Sequence, residues 1–183
     1  MLWNSSGTIR CPWFKSTKNH GEAQLNDLSS YIADALPLCP GNAVAAIIFL
    51  EDGNYLLQLR DNKQGIFYPG HWGLFGGGVE LEEEPVDAIR REIKEELGIE
   101  IDEVVVVTRF DFDLTPMNLG KFYRIFFMVK IPSIMIKQLK LSEGQDFGFF
   151  SRKEILSMSS AIAPYDSFAL WLHINQDRLI CNG

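Results

Sequence analysis

Cysteine is sparse in this sequence: Cys11, Cys39 and Cys181 are odd in number and far apart, and no pair has the close spacing of a zinc ribbon. Neither a disulfide framework nor a thiolate metal site is expected, and the three read as free thiols in a reducing compartment. A basic surplus is also missing, with 17 Lys and Arg against 24 Asp and Glu, a formal net charge of −7 and a pI of about 5.0. No broad basic surface offers itself to polymeric nucleic acid or an anionic membrane, so neither is an expected partner. A small phosphorylated molecule stays open, because metal ions and a few basic groups neutralise its charge locally. No apolar run approaches membrane-spanning length, and the stretch MLWNSSGTIRCPWFKSTKNHGE lacks the apolar core of a secretory signal. The cytoplasm is the expected location. There is no internal repeat and no low-complexity tract.

What is there is a chain of 183 residues, 46% hydrophobic and 22% charged, enough for one domain with a sizeable core and one extra segment. Residues 1–22 are polar and without clean period, whereas Leu25, Leu28, Ile32 and Leu36 recur at helical intervals before Pro37. AVAAIIFL at 43–50, the turn residues EDGN and YLLQLR at 55–60 predict a β-hairpin. DNKQGIFYPGH reads as a loop, and WGLFGGG as a short strand entering a glycine turn. VVVVTRFDFDL at 104–114 and KFYRIFFMVKI at 121–131 predict a second hairpin, and SRKEILSM and APYDSFALWLHI two closing helices. In the last of these, Phe168, Leu170, Trp171 and Leu172 are available for burial.

The most unusual stretch is GGGVELEEEPVDAIRREIKEELGI at 76–99, with eight carboxylates between Glu80 and Glu96. Pro85 suits a first helical turn and Gly98 the position just past a helix, which bounds a helix at Pro85 to Leu97. Val86, Ile89, Ile93 and Leu97 form its apolar stripe, and Glu92, Glu95 and Glu96 the neighbouring stripe. A solvated acidic face with i,i+4 pairs is one account of it. Yet glutamates bordering a buried stripe are costly, and a hard divalent cation resolves the conflict, because Mg²⁺ takes oxygen ligands and substrate phosphates. The adjacent Gly76-Gly77-Gly78 lets bare backbone approach such an ion.

Gly77, five residues, Glu83, seven residues, then Arg91-Glu92-Ile93-Lys94-Glu95-Glu96-Leu97-Gly98-Ile99 is similar to the Nudix box at every defining position. The resemblance implies an α/β fold, the Nudix α/β/α sandwich with a mixed β-sheet, over residues 40–183, with residues 1–39 as an N-terminal arm and short helix outside it. Two positions depart from the box: Glu82 stands where glycine is usual, and Glu84 where a small helix-capping residue is usual.

The resemblance further implies a hydrolase of a nucleoside diphosphate linked to some other group, using Mg²⁺ or Mn²⁺. Glu95 and Glu96 would be metal ligands, Glu92 a ligand or the base that activates water, and the Gly76 carbonyl a further ligand. Glu83 and Arg91 would hold loop and helix in register. Glu143, in LSEGQDFGFF, looks like the additional metal-binding glutamate of MutT-like members, or is a surface turn residue. For the substrate, the stretch leading into the box contributes Arg60, Lys63, Tyr68, His71, Trp72 and Phe75. Arg60 is placed by strand alternation on the face opposite Leu57 and Leu59 and is expected to meet a phosphate, and Phe75 to stack on a base or join the core. Asp166 sits where MutT-like enzymes place a residue reading a purine edge, and equally where a carboxylate complements a helix dipole.

The leading expectation is a nucleoside triphosphate substrate, oxidised or otherwise noncanonical ones included, with a nucleoside diphosphate sugar as the alternative. A non-catalytic nucleotide-binding regulator would usually lack one of Glu92, Glu95 and Glu96, and all are present. Isomerase chemistry on a prenyl diphosphate would need a cysteine near the site, and none lies between Cys39 and Cys181. The oligomeric state, monomer or homodimer, is open.

Overall fold

The computed structural model describes residues 38–179, so the arm and helix read at 1–36, with Cys11 and Cys181, lie outside the described residues. Nine elements follow: β1 (Ala43–Leu50), β2 (Tyr55–Leu59), β3 (Trp72–Gly73), α1 (Pro85–Leu97), β4 (Val105–Asp113), β5 (Lys121–Ile131), β6 (Asp146–Phe150), α2 (Arg152–Ser157) and α3 (Pro164–Ile174). Short 3₁₀ turns join several of them, including Thr115–Met117 in the β4–β5 connection.

The strands form one mixed sheet in the order β3-β2-β1-β5-β4, with β6 on the other edge of β2. β1 and β2 pair antiparallel as the predicted hairpin, and so do β4 and β5, while β1 and β5 run parallel from Ala43↔Arg124 to Leu50↔Ile131. The unbroken apolar run of β1 follows from this position, because a central strand is buried on both faces. Val44, Ala46, Ile48 and Leu50 pack with Ala88, Ile89, Ile93 and Leu97 of α1. Ala45 and Ile47 turn to the opposite face and pack with Tyr55, Leu57, Phe126, Ala169 and Leu170. Helices therefore cover both faces, and the α/β/α sandwich is present.

Helix α1 ends as its sequence dictates: Gly98 adopts the left-handed conformation at φ 68° and donates its N–H to Lys94 O at 3.0 Å. Its entry is weaker, since Glu84 at the N-cap makes no side-chain hydrogen bond there. α2 is short but carries a full capping box between Ser151 and Glu154. In α3 the burial expectation holds for Leu170 and fails for Phe168 and Trp171, which are 54% and 43% exposed. The two rings stack on each other at 6.2 Å because the core side of α3 is taken by Asp166, Ala169, Leu170 and His173.

The glycine missing from the turn before α1 has a measurable consequence. Glu83 N–H donates to Glu80 O at 3.2 Å, closing a turn whose third residue, Glu82, sits at φ 64°. That is the left-handed value which type II turns assign to glycine, and a side chain there is strained. Glu82→Gly is expected to stabilise the protein by about 1 kcal/mol net of the added freedom of the unfolded chain, read as an upward shift of the denaturant midpoint.

Candidate active site

The glycine turn is built into the sheet by its backbone. Ala46 N–H donates to Phe75 O at 2.8 Å, Val44 N–H to Gly77 O at 2.9 Å and Val79 N–H to Asn42 O at 2.9 Å, so residues 75–79 run along the first half of β1. Gly76 has φ 131°, and a side chain on it would strike the Val44 carbonyl. A Cβ on Gly77 would lie 2.5 Å from Glu92 Oε1. Both positions must be glycine for α1 to present its glutamates this close to the turn.

Arg91 ties that turn to the helix. Its Nε and Nη2 donate to the two oxygens of Glu83 at 2.9 Å each, Nη2 also to Gly78 O at 3.0 Å, and Nη1 to Glu92 Oε1 at 2.9 Å and Glu95 Oε2 at 3.2 Å. The guanidinium fork and the Glu80 N–H hold the Glu83 carboxyl down at about 2. Glu96 is the opposite case: it is 5% exposed, its Oε2 accepts the Gly76 N–H at 2.8 Å, and burial pushes its carboxyl up to about 8. Burial raises Glu92 as well, against the pull of Arg91.

Glu92 and Glu96 open onto a cleft of 310 Å³ that also has Gly76, Gly77, Glu143 and Arg60 in its walls. The negative charge of Glu143 adds to the raised pKa of both glutamates. On the other side of the turn lies a second cavity of 390 Å³, sharing Arg60 and Gly76–Gly78 and walled by Phe67, Phe112, Phe122 and Tyr165 together with Arg124. Arg124 Nη2 is paired with Asp166 Oδ1 at 3.1 Å, and its guanidinium lies 4.7 Å from the Tyr165 ring centroid.

A family model described as the Nudix domain matches residues 40–171. The chain belongs to the Nudix family. Over 47 residues, 26% of this chain, it is 57% identical to the nucleoside triphosphatase NudI of Escherichia fergusonii, a match that spans 33% of that relative's length. Among solved structures, the MutT protein of Methanosarcina mazei superposes with a TM-score of 0.63 at 25% identity, covering 80% of this chain and all of that one. The MutT Nudix hydrolase of Burkholderia pseudomallei gives 0.58 at 23% identity over 73% of this chain and 97% of its own. The Nudix domain of Shewanella oneidensis NrtR, solved with ADP ribose, gives 0.56 at 16% identity over 83% of this chain and 98% of its own, a likeness of fold alone.

The Nudix fold brings most of the expected residues together. Glu83, Arg91, Glu92, Glu95, Glu96 and Gly76 form one cluster at the turn, Glu143 reaches the same cleft, and Arg60 lies between the two cavities with its Nε donating to Phe67 O at 2.9 Å. Phe75 is a correction: it is fully buried in the core under α1 and offers a base no surface. Asp166 stands in the first turn of α3 as expected, but it is fully buried, with Leu74 N–H on Oδ2 at 3.0 Å and Arg124 on Oδ1. Its burial keeps both oxygens away from a base edge, and it instead holds Arg124. Arg124, Tyr165, Phe112 and Phe122 escaped the sequence reading. The register Phe112↔Phe122 and Phe110↔Arg124 sets them on one face, and an arginine alternating with phenylalanines was the available signal.

Nudix hydrolases generally use divalent metal ions, and the donor set here is oxygen only, with one buried carboxylate, Glu96, and one half-buried, Glu92, that shares its only cationic partner, Arg91, with Glu83 and Glu95. These residues fit a hard cation. Among the described residues no three acidic or imidazole side chains already converge as a metal shell, since Arg91 and the Gly76 N–H engage Glu92, Glu95 and Glu96.

Glu96 makes that fit testable. Its folded pKa of about 8 exceeds its ordinary 4.5, so between these values the folded state binds the extra proton. Metal-free stability should therefore fall as pH rises from 4.5 to 8, by up to about 1.4 kcal/mol per pH unit. A cation that binds the ionised form should raise the unfolding temperature more at pH 8.5 than at pH 5. Thermal unfolding with and without Mg²⁺ at both values checks it, and an equal shift at both would separate Glu96 from the metal site.

Proposed function

We propose that this protein is a Mg²⁺- or Mn²⁺-dependent Nudix pyrophosphohydrolase acting on a nucleoside triphosphate, oxidised or noncanonical ones included. The observation that carries the reading is the meeting of an acidic cleft and an aromatic cavity at one glycine turn. A nucleotide lying across Gly76–Gly78 would put its phosphates beside Glu92, Glu96 and Glu143 and its base among Phe67, Phe112, Phe122 and Tyr165. The partial match to a nucleoside triphosphatase supports the same substrate class.

Glu95, Glu96, Glu143 and the Gly76 carbonyl would hold the metal, which when bound would neutralise phosphate oxygens and acidify water. The protein's own groups do the positioning. Arg91 fixes Glu92 by Oε1, and Oε2 carries no hydrogen bond among the described residues, leaving it to take the proton of the attacking water. Burial keeps that carboxylate more basic than an exposed one. Glu83 acts through Arg91 by locking the turn to α1, and Arg60 faces the phosphates from the strand side.

Pyrophosphate and phosphate release should be measured with Mg²⁺ and Mn²⁺ across nucleoside triphosphates, oxidised nucleotides, nucleotide sugars and dinucleoside polyphosphates. Pyrophosphate release from a triphosphate as the preferred reaction is expected. Preference for a nucleotide sugar would replace the substrate class, and binding without turnover of any compound would replace the enzyme with a regulator. Glu92→Gln and Glu95→Gln should each lower kcat by about 10²-fold or more while leaving the unfolding transition in place. An unchanged kcat would remove that residue from the site.

A further inference from the structure

Strand β4 closes one side of the sheet, and among the described residues nothing pairs with its outer edge. Short edges, proline and lysine are common protections against pairing with another chain. β3, at the opposite end of the strand order, is only two residues long. β4 is nine residues long with neither proline nor lysine, and a bulge between Val106 and Thr108 interrupts it at one end only.

Register fixes what that edge presents. Leu114 N–H donates to Gly120 O at 3.1 Å, in line with the pairs Phe112↔Phe122 and Phe110↔Arg124. Hydrogen-bonded and free positions alternate along an antiparallel pair, so Phe110 and Phe112 direct their backbone groups to β5, and Arg109, Asp111 and Asp113 direct theirs outward. The side chains of Arg109 and Asp111 share one face, exposed and bridged at 2.7 Å. Exposed apolar side chains lie at both ends of the edge, Val105 and Val106 at its start and Met117 and Leu119 in the turn beyond it.

An edge charged in the middle and apolar at both ends is complementary to itself. Outward positions pair with outward positions, so an antiparallel second copy has few registers open to it. Arg109 opposite Arg109, or Asp111 opposite Asp111, sets like charges face to face, which is destabilising. Arg109 opposite Asp111 repeats one favourable pair on both sides of a two-fold axis at Phe110. The same register carries Val105 and Val106 of each copy toward Leu114 and the Met117–Leu119 turn of the other.

We propose that the outer edge of β4 is the interface of a homodimer in which two copies of this chain pair antiparallel, with Arg109 of each opposite Asp111 of the other, and join their sheets into one. Such a contact uses the same patch on both copies and closes on itself. It also borders the aromatic cavity, because Phe112 and Leu114 wall that cavity and would lie opposite the 106–108 stretch of the second copy.

Sedimentation velocity of the full chain up to about 100 µM, a range suited to a contact of this modest size, should show a species of twice the chain's mass. Asp111→Pro removes an outward N–H without touching the bonds to β5 and should leave a folded monomer. Arg109→Asp and Asp111→Arg each bring like charges together and should weaken association about tenfold or more. Mixed, these two variants should associate with each other, because each then meets the opposite charge across the axis. Thermal unfolding of every variant accompanies the measurement. A full chain that stays monomeric, a dimer that persists in Asp111→Pro, or folded charge variants that associate no better mixed than alone would overturn the assignment.

Discussion

Arg91 sets one guanidinium against three carboxylates and a backbone carbonyl, and the rest of the site depends on that arrangement. Eight acidic groups within seventeen residues would otherwise push the turn away from the helix. The fork geometry of arginine lets it hold Glu83 in a bidentate pair and still reach Glu92 and Glu95, which a lysine's single ammonium would not match. The compensation is partial: Glu96 stays buried and Glu92 half-buried, both with carboxyls raised above their ordinary range. Carboxylates left short of positive charge are what a divalent cation needs.

The second constraint is the close approach of residues 75–79 to β1. Backbone hydrogen bonds from Val44, Ala46 and Val79 seat the turn as an extension of the sheet, and side chains on Gly76 or Gly77 would collide with Val44 or Glu92. The turn thereby becomes the partition between an acidic cleft and an aromatic cavity, close enough for one small molecule to occupy both. The box glutamates lie on one side of the partition and the aromatic rings on the other.

Much of this was legible before any coordinates. The hairpins, the bounds of α1 and the pairing of loop with helix follow from local rules, such as apolar alternation, proline at a helix start and glycine at a helix end. The box cluster was legible because its members are held at fixed spacing on a single turn and helix. Two local departures also announced themselves, in the strained Glu82 and the uncapped Glu84. Arg60 and Glu143 were placed by weaker signals, and both line the acidic cleft.

The aromatic cavity was different. Phe75 carries an aromatic ring beside the box, yet the sheet packs it under α1; Asp166 has the chemistry to read a base, yet it is spent on Leu74 and Arg124. The cavity walls Phe112, Phe122, Arg124 and Tyr165 come from β4, β5 and α3, with 52 residues between the first and last of them. By itself the sequence determined the elements and the acidic box, because helix periods, turns and i,i+4 spacing act over a few residues. Only the tertiary structure decided which polar group is buried and which rings face the cavity, because those outcomes depend on strand register and helix docking between distant segments.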